Sequence, residues 1–402
     1  MRAINPGLLF IASLGLLFSL GARAELPTLY PTSELRPLTN EIDPRPGQIP
    51  QTTFFGSDAA VLGNVSIVGM PGAFDLEGRV GIFLKDASGA WLRRGTLKAS
   101  DRKTLAQFGA HVAMVNRRAL VASEKAVYVF QLISGAWKQT HKLTFNGAAQ
   151  ISDLDWQGDL AVIGVQSDST SDAAYVYDTS ANGMRRIARL VGHDSRASDE
   201  FASRVAVYGQ DVVATAPGYG AEQGAAYTFS CTASECRERQ KLIVIDGEPG
   251  DRFGSAADID QNLLVIGAAN ANERIGDASE EPSTSNYRAG GAGYVFLRNS
   301  GTWSDLQTLR PTPAQHNWYW SLGYDVAISG TRILISAPYG VDSWDDGLVF
   351  SYRRSGATFV ANGVMTYQSS QGTSLSIHGT TSVIGAPDVD WWTGSAAIYS
   401  VP

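Results

Sequence analysis

The sequence predicts an all-β fold, a seven-bladed β-propeller of four-stranded antiparallel blades, and three observations predict it. A fifteen-residue unit, clearest from Phe253 to Gly267, reads as strand, tight turn, strand. Anchors fourteen positions apart recur at Phe55/Gly69, Phe108/Ala122, Gln150/Gly164, Phe201/Thr215, Phe253/Gly267, Leu322/Ser336 and Gln371/Gly385, with start-to-start steps of 53, 42, 51, 52, 69 and 49 residues. Such spacing marks repeat architecture. Each unit then continues through two further short alternating stretches, so that four strands fill each repeat.

The chain opens with Met1 and Arg2, an apolar stretch from Gly7 to Leu20, and the small-x-small site Ala22-Arg23-Ala24. That is the pattern of a signal peptide over residues 1–24, too short in its apolar part to span a bilayer. The expected mature protein starts near Glu25, is exported, and resides in the periplasm, on the cell surface or outside the cell. No later stretch reaches the roughly 18 apolar residues of a membrane helix, so no integral membrane segment is expected.

Residues 25–53 form an arm rich in proline, with Pro27, Pro31, Pro37, Pro44, Pro46 and Pro50. The propeller occupies 54–402. In each unit the first strand carries the Phe-Gly pair, as in Phe55-Gly56 and Phe108-Gly109, and glycine there implies close backbone approach. The second strand ends in small residues and often proline, as in Thr215-Ala216-Pro217, Ser336-Ala337-Pro338 and Gly385-Ala386-Pro387; proline stops the ladder and starts a loop. The third strand is apolar (Val80 to Phe83, Ala126 to Phe130, Leu348 to Tyr352), and Ser-Gly or Asn-Gly turns follow it. The fourth opens on a bulky residue such as Trp91, Trp137 or Trp303 and commonly closes on leucine. The seventh unit holds only three strands before Pro402. The arm is therefore expected to supply the last outer strand, from within Pro44 to Thr53, and so close the ring and hide its edges.

The two cysteines, Cys231 and Cys236, flank a hairpin turn in an expected exported chain, and a disulfide pinning that turn is their predicted role. A redox or zinc role needs C-x-x-C or further Cys and His ligands, which are absent. The net charge of −7 carries no basic run, which argues against nucleic acid as a partner.

Phe-Gly followed by Gly-Ala-Pro resembles the FG-GAP repeats of integrin α-subunit propellers, and the chain is similar to the bacterial, exported branch of that family over about residues 54–402. Kelch repeats need a diglycine after the second strand, and WD40 repeats need Gly-His and Trp-Asp; neither signature is present. The resemblance brings calcium into question, because many integrin-type repeats carry D-x-[DN]-x-[DN]-G-x-x-D between the first two strands. The nearest matches here, Asp258 to Asn262 and Asp153 to Asp159, lack the full set of spaced oxygen ligands. No cofactor and no metal is therefore expected, with calcium in these turns the lesser alternative.

Function is expected on the face where the loops joining second to third strands, and blade to blade, emerge together, because these loops vary most in length. That face gathers Trp318, Tyr319, Tyr339, Trp344, Asp388, Asp390, Trp391 and Trp392 in blades five to seven. Aromatic rings beside carboxylates suit sugar stacking with hydroxyl hydrogen bonds, or a protein hot spot; packing between blades is the alternative for each ring. No G-x-S-x-G elbow, H-E-x-x-H pair or phosphate-cradling loop occurs, and the five histidines are scattered. The expectation is a non-catalytic, monomeric binding or adhesion module for a glycan or an extracellular or envelope protein. A polysaccharide lyase or hydrolase using Asp388 and Asp390, and a structural envelope scaffold, are the alternatives.

Overall fold

The computed structural model describes residues 26–38, 52–145, 149–167, 172–180, 183–245, 247–271, 290–310, 321–338, 347–366, 372–389 and 393–402. Seven sheets follow one another along the chain, each laid out from an inner strand to an outer one. Blade one, for example, holds Ala59–Leu62, Val65–Met70, Arg79–Lys85 and Trp91–Leu97, all antiparallel. The inner strands of successive blades adjoin one another, and that of blade seven, Ser374–His378, adjoins that of blade one. The fold is the predicted seven-bladed propeller.

The ring closes through the arm, but not where the sequence suggested. The outer strand of blade seven is Ser33–Leu35, antiparallel to Ser395–Ser400 with Leu35 opposite Ala396. Just before it, Thr32 donates its N–H to the Ile398 carbonyl at 2.7 Å. The expected segment, Pro44 to Thr53, lies mostly outside the described residues, and its last two residues, Thr52 and Thr53, are in no strand. The physical reason is legible afterwards. Three prolines between 44 and 50 cannot donate to a ladder, whereas Leu35 buries its side chain, 1% exposed, in the core cluster that includes Phe83, Trp91 and Ile398. The arm also adds Thr28–Leu29 parallel to the outer strand of blade six, Thr358–Thr366, making that sheet five-stranded.

The repeated motif is a blade-to-blade joint. The anchor phenylalanines 55, 108, 201 and 253 are buried to 0–1%, as is Leu322, and each such ring removes roughly 1.5–3 kcal/mol worth of apolar surface from water. Phe108, Phe201 and Phe253 pack edge-on against Tyr128, Tyr227 and Tyr294 of their own third strands, with centroids 5.3–5.5 Å apart. Their backbones meet the blade before: Phe108 pairs in parallel with Gly78, Phe253 with Gly224, Leu322 with Gly291 and Phe55 with Gly394. Except in blades three and five, the Phe-Gly pair or its counterpart precedes the inner strand instead of lying within it.

Glycine is required at the joint by sterics. A Cβ on Gly78, whose φ is 83°, would strike the backbone of Phe108, and one on Gly267 would strike the carbonyl of Gly323 in the next blade. The third unit departs from the frame. Its joint is made by Ile151, buried and donating to the Glu124 carbonyl at 3.0 Å, instead of by exposed Gln150. A bulge between Ile151 and Asp153 then restores the register.

Outer straps reinforce two joints. Asp101 and Asp194 each lie in the linker four residues past a buried leucine, Leu97 and Leu190. Asp101 accepts from Tyr128 at 3.0 Å and Lys142 at 2.6 Å; Asp194 accepts from Tyr227 and Lys241, both at 2.7 Å. In both cases the donors belong to the following blade. The predicted disulfide is present: Cys231 and Cys236 are directly opposite in blade four, with Cα atoms 4.0 Å apart.

Candidate functional site: the central channel and the loop face

Along an inner strand alternate residues face the same side. Counting from each anchor, the third, fifth and seventh positions therefore point to the axis. They supply Asp58, His111, Asp153, Arg204 and Asp325 near one mouth, Asp155 and Asp258 deeper, and Gln157, Asp260 and His378 beyond them. All of these except Asp260 and His378 line an open central channel of about 290 Å³, with small residues such as Ala60, Ala113 and Ala257 leaving room between them.

An inner strand exposes one row of unpaired N–H groups to the axis, a row that must find acceptors. The channel carboxylates provide them in one rotational sense. Asp58 accepts from Ala59 of its own strand at 2.8 Å and from Val112 of blade two at 2.7 Å. Asp153 and Asp155 of blade three accept from Val205 and Val207 of blade four, at 2.8 and 2.7 Å, and Gln157 from Gly209 at 3.0 Å. Asp258 and Asp260 of blade five accept from Ile328 and Gly330 of blade six, at 2.7 and 2.5 Å. Asp325 accepts from Leu375 of blade seven at 2.7 Å, and Ser376 closes the circle from Val61 of blade one at 3.0 Å. Asp153 to Asp159 and Asp258 to Asn262, the nearest matches to calcium loops, thus carry inter-blade clasps.

Crowding these carboxyls around one axis raises their pKa values. Burial, with the neighbouring charges of Asp153 and Asp325, pushes Asp58 up to about 8 against the pull of its two N–H donors. Burial takes Asp325 to about 7 and Asp155 to about 6, raises Asp153, and raises Asp258 well above the ordinary carboxylate range. Burial followed by the Arg204 charge holds His111 down to about 3, so it is neutral. Burial also opposes the charge of Arg204, but Asp153, Asp325 and Asp58 outweigh it and hold its pKa up. The channel admits water: the side chains of Asp58, Asp153 and His111 retain 23%, 19% and 25% exposure, which tempers the burial effect.

Two groups at this mouth stand out by what they do not contact. Among the described residues the Arg204 guanidinium makes one long hydrogen bond, 3.5 Å to the Ser203 carbonyl, although a guanidinium carries five N–H donors. The Nδ1 of His111 lies 4.0 Å from both Asp58 and Asp153, outside hydrogen-bond range. Among the described residues no group of three or more His, Cys, Asp or Glu is arranged to hold a metal ion.

The FG-GAP repeat family matches residues 236–296, from the outer strand of blade four into the third strand of blade five. Taken with the seven blades and their Phe-Gly joints, the match decides the family. The chain is an FG-GAP-type β-propeller. No curated protein matches it.

In this FG-GAP propeller the channel mouth bearing Asp58, His111, Arg204 and Asp325 opens on the face from which the blade-to-blade loops enter the inner strands. The loops joining second to third strands leave from the same face. Of the residues anticipated there, Asp388 is described: it is half-buried, directly after Pro387 at the end of a second strand. Trp318, Tyr319, Tyr339, Trp344, Asp390, Trp391 and Trp392 lie outside the described residues. Their flanks are secured on this face by Leu322, which donates to the Gly290 carbonyl at 3.1 Å, by buried Ala337, and by Gly394, which donates to Val389 at 2.9 Å.

Sequence reading overlooked the channel set. Its signal was available as polar residues at the third and fifth positions after the anchors, where a half-buried strand would otherwise carry apolar side chains. Among the described residues no helix is long and apolar enough to cross a membrane.

Proposed function

We propose that this propeller is an exported, non-catalytic binding module that engages a glycan through the loop face of blades five to seven. The observation that carries the reading is the division of labour among polar residues. The channel carboxylates are committed to inter-blade N–H groups, at 2.5–2.8 Å for Asp58, Asp153, Asp155, Asp258, Asp260 and Asp325. The aromatic and acidic residues of the loops belong to no repeat position in the sequence. Trp391, Trp392, Trp344, Tyr339, Trp318 and Tyr319 offer flat faces for sugar rings, with Asp388 and Asp390 beside them to accept hydroxyl protons. Export is supported by the disulfide, a bond that persists in oxidising compartments.

A glycan array comparing the parent with a Trp391→Ala/Trp392→Ala variant tests the proposal. The parent is expected to bind a defined set of glycans and the variant to lose at least tenfold in affinity. Equal binding by both, or capture of protein ligands alone, would overturn it.

A further inference from the structure

We propose that the channel mouth itself is a binding site, and that it takes the neutral terminal ring of a saccharide, with Arg204 and His111 as its ligand-facing groups. The inference rests on the glycan reading above and deepens it, because it assigns a pocket below the loop face.

Four features of the channel point the same way. The channel volume, about 290 Å³, sits at the lower edge of the roughly 300–1,000 Å³ usual for small-molecule sites; it suits one small ring better than a stretch of chain. The guanidinium of Arg204 and the imidazole of His111 line this space from blades four and two, on either side of blade three, with few protein partners. Polar groups so placed, with up to five donors on one of them, are matched by a ligand or by exchangeable water. Each carboxylate oxygen that accepts one backbone N–H keeps a second lone pair, and those of Asp58, Asp153 and Asp325 line the same mouth. The alanines at 60 and 113 keep the wall low.

Charge then selects the ligand class. Five carboxyls, Asp58, Asp153, Asp155, Asp258 and Asp325, surround the single guanidinium; the ionised ones balance its charge and the protonated ones, such as Asp58 below about pH 8, carry none, so an anionic group entering the mouth finds no unbalanced positive charge. A cation finds Arg204 already there as the built-in counter-charge. A neutral polyhydroxyl ring meets neither obstacle. Its oxygens accept from Arg204, its hydroxyl protons go to carboxylate lone pairs, and His111, neutral in this setting, can serve either role.

The test uses the full mature chain and a panel of methyl glycosides of neutral hexoses, with glucuronic acid as the anionic control, read by saturation-transfer NMR and calorimetry. Arg204→Lys keeps the counter-charge and removes the planar fork; His111→Phe keeps shape and neutrality and removes the ring nitrogens. The expected result is saturable binding of at least one methyl glycoside by the parent, with at least tenfold weaker binding in both variants and unfolding midpoints close to the parent's. Should Arg204→Lys disturb the fold, His111→Phe decides alone. No binding of any methyl glycoside, binding of glucuronic acid only, or unchanged affinity in His111→Phe would overturn the inference. The loop reading is separable: a parent that binds extended glycans through Trp391 and Trp392, with full affinity in both channel variants, sinks the channel site and leaves the loop face standing.

Discussion

Replacing Gly78 by alanine tests the reading of the repeated motif as a steric joint. Gly78 has φ 83°, pairs in parallel with Phe108 of the next blade, and has the Phe108 backbone where a Cβ would go. Gly135, in the hairpin between the third and outer strands of blade two, has a closely similar φ of 81° but no atom within 4 Å of its Cβ position. Both substitutions carry the left-handed penalty of roughly 1–2 kcal/mol, and both recover about 0.4–1 kcal/mol through a stiffer unfolded chain. These effects cancel in the comparison. What remains for Gly78→Ala is forced separation of two backbones, expected to add about 1–3 kcal/mol in the range of overpacked cores. Denaturant unfolding of the two variants beside the parent, followed by circular dichroism and tryptophan fluorescence, reads the difference directly. Equal midpoints for Gly78→Ala and Gly135→Ala would refute the claim that close approach, and not backbone freedom alone, selects glycine at the joint.

Three further outcomes follow from the same structure. Leu35→Ala empties a fully buried position on the closing strand and is expected to cost about 2–5 kcal/mol, whereas Leu38→Ala, 42% exposed, should leave the unfolding midpoint near the parent's. Exchanging Cys231 and Cys236 for serine should cost roughly 2 kcal/mol by the loop-entropy argument without altering the far-ultraviolet spectrum. Stability should fall as pH rises from 6.5 to 8. In this window the folded state retains protons on Asp58, up to about 8, and Asp325, about 7, that the unfolded chain has released. His111, held at about 3 against its usual 6.5, acts oppositely, but only between those two values. Asp58→Asn should therefore flatten the decline, and an unchanged slope of thermal midpoint against pH would contradict the assignment.

The third unit shows how far periodicity carries a reading and where it slips. The fourteen-residue frame found the blade, because Gly164 still falls within the second strand, Leu160–Ser167, but it named Gln150 as the anchor. Burial selects Ile151, the apolar neighbour, and a bulge absorbs the one-residue offset. The closing strand slipped for a related reason. Three residues of alternating exposure from Ser33 to Leu35 carry too little pattern to be told from the rest of a polar arm, and only the vacant outer edge of blade seven gives them a partner.

The sequence by itself determined the number of blades, the four strands in each, the hairpin turns and the cysteine pair, because these depend on alternation and spacing within a few residues. It also marked the Phe-Gly and Gly-Ala-Pro positions. Only the tertiary structure decided what those glycines are for, because the carbonyl of Gly323 that forbids a side chain on Gly267 belongs to the next blade. The same holds for the channel. Asp58, Asp153 and Asp325 are separate residues in separate repeats until the ring closes and points them at one axis. Their shared field, their clasps on neighbouring strands and the space around Arg204 exist only in the closed circle.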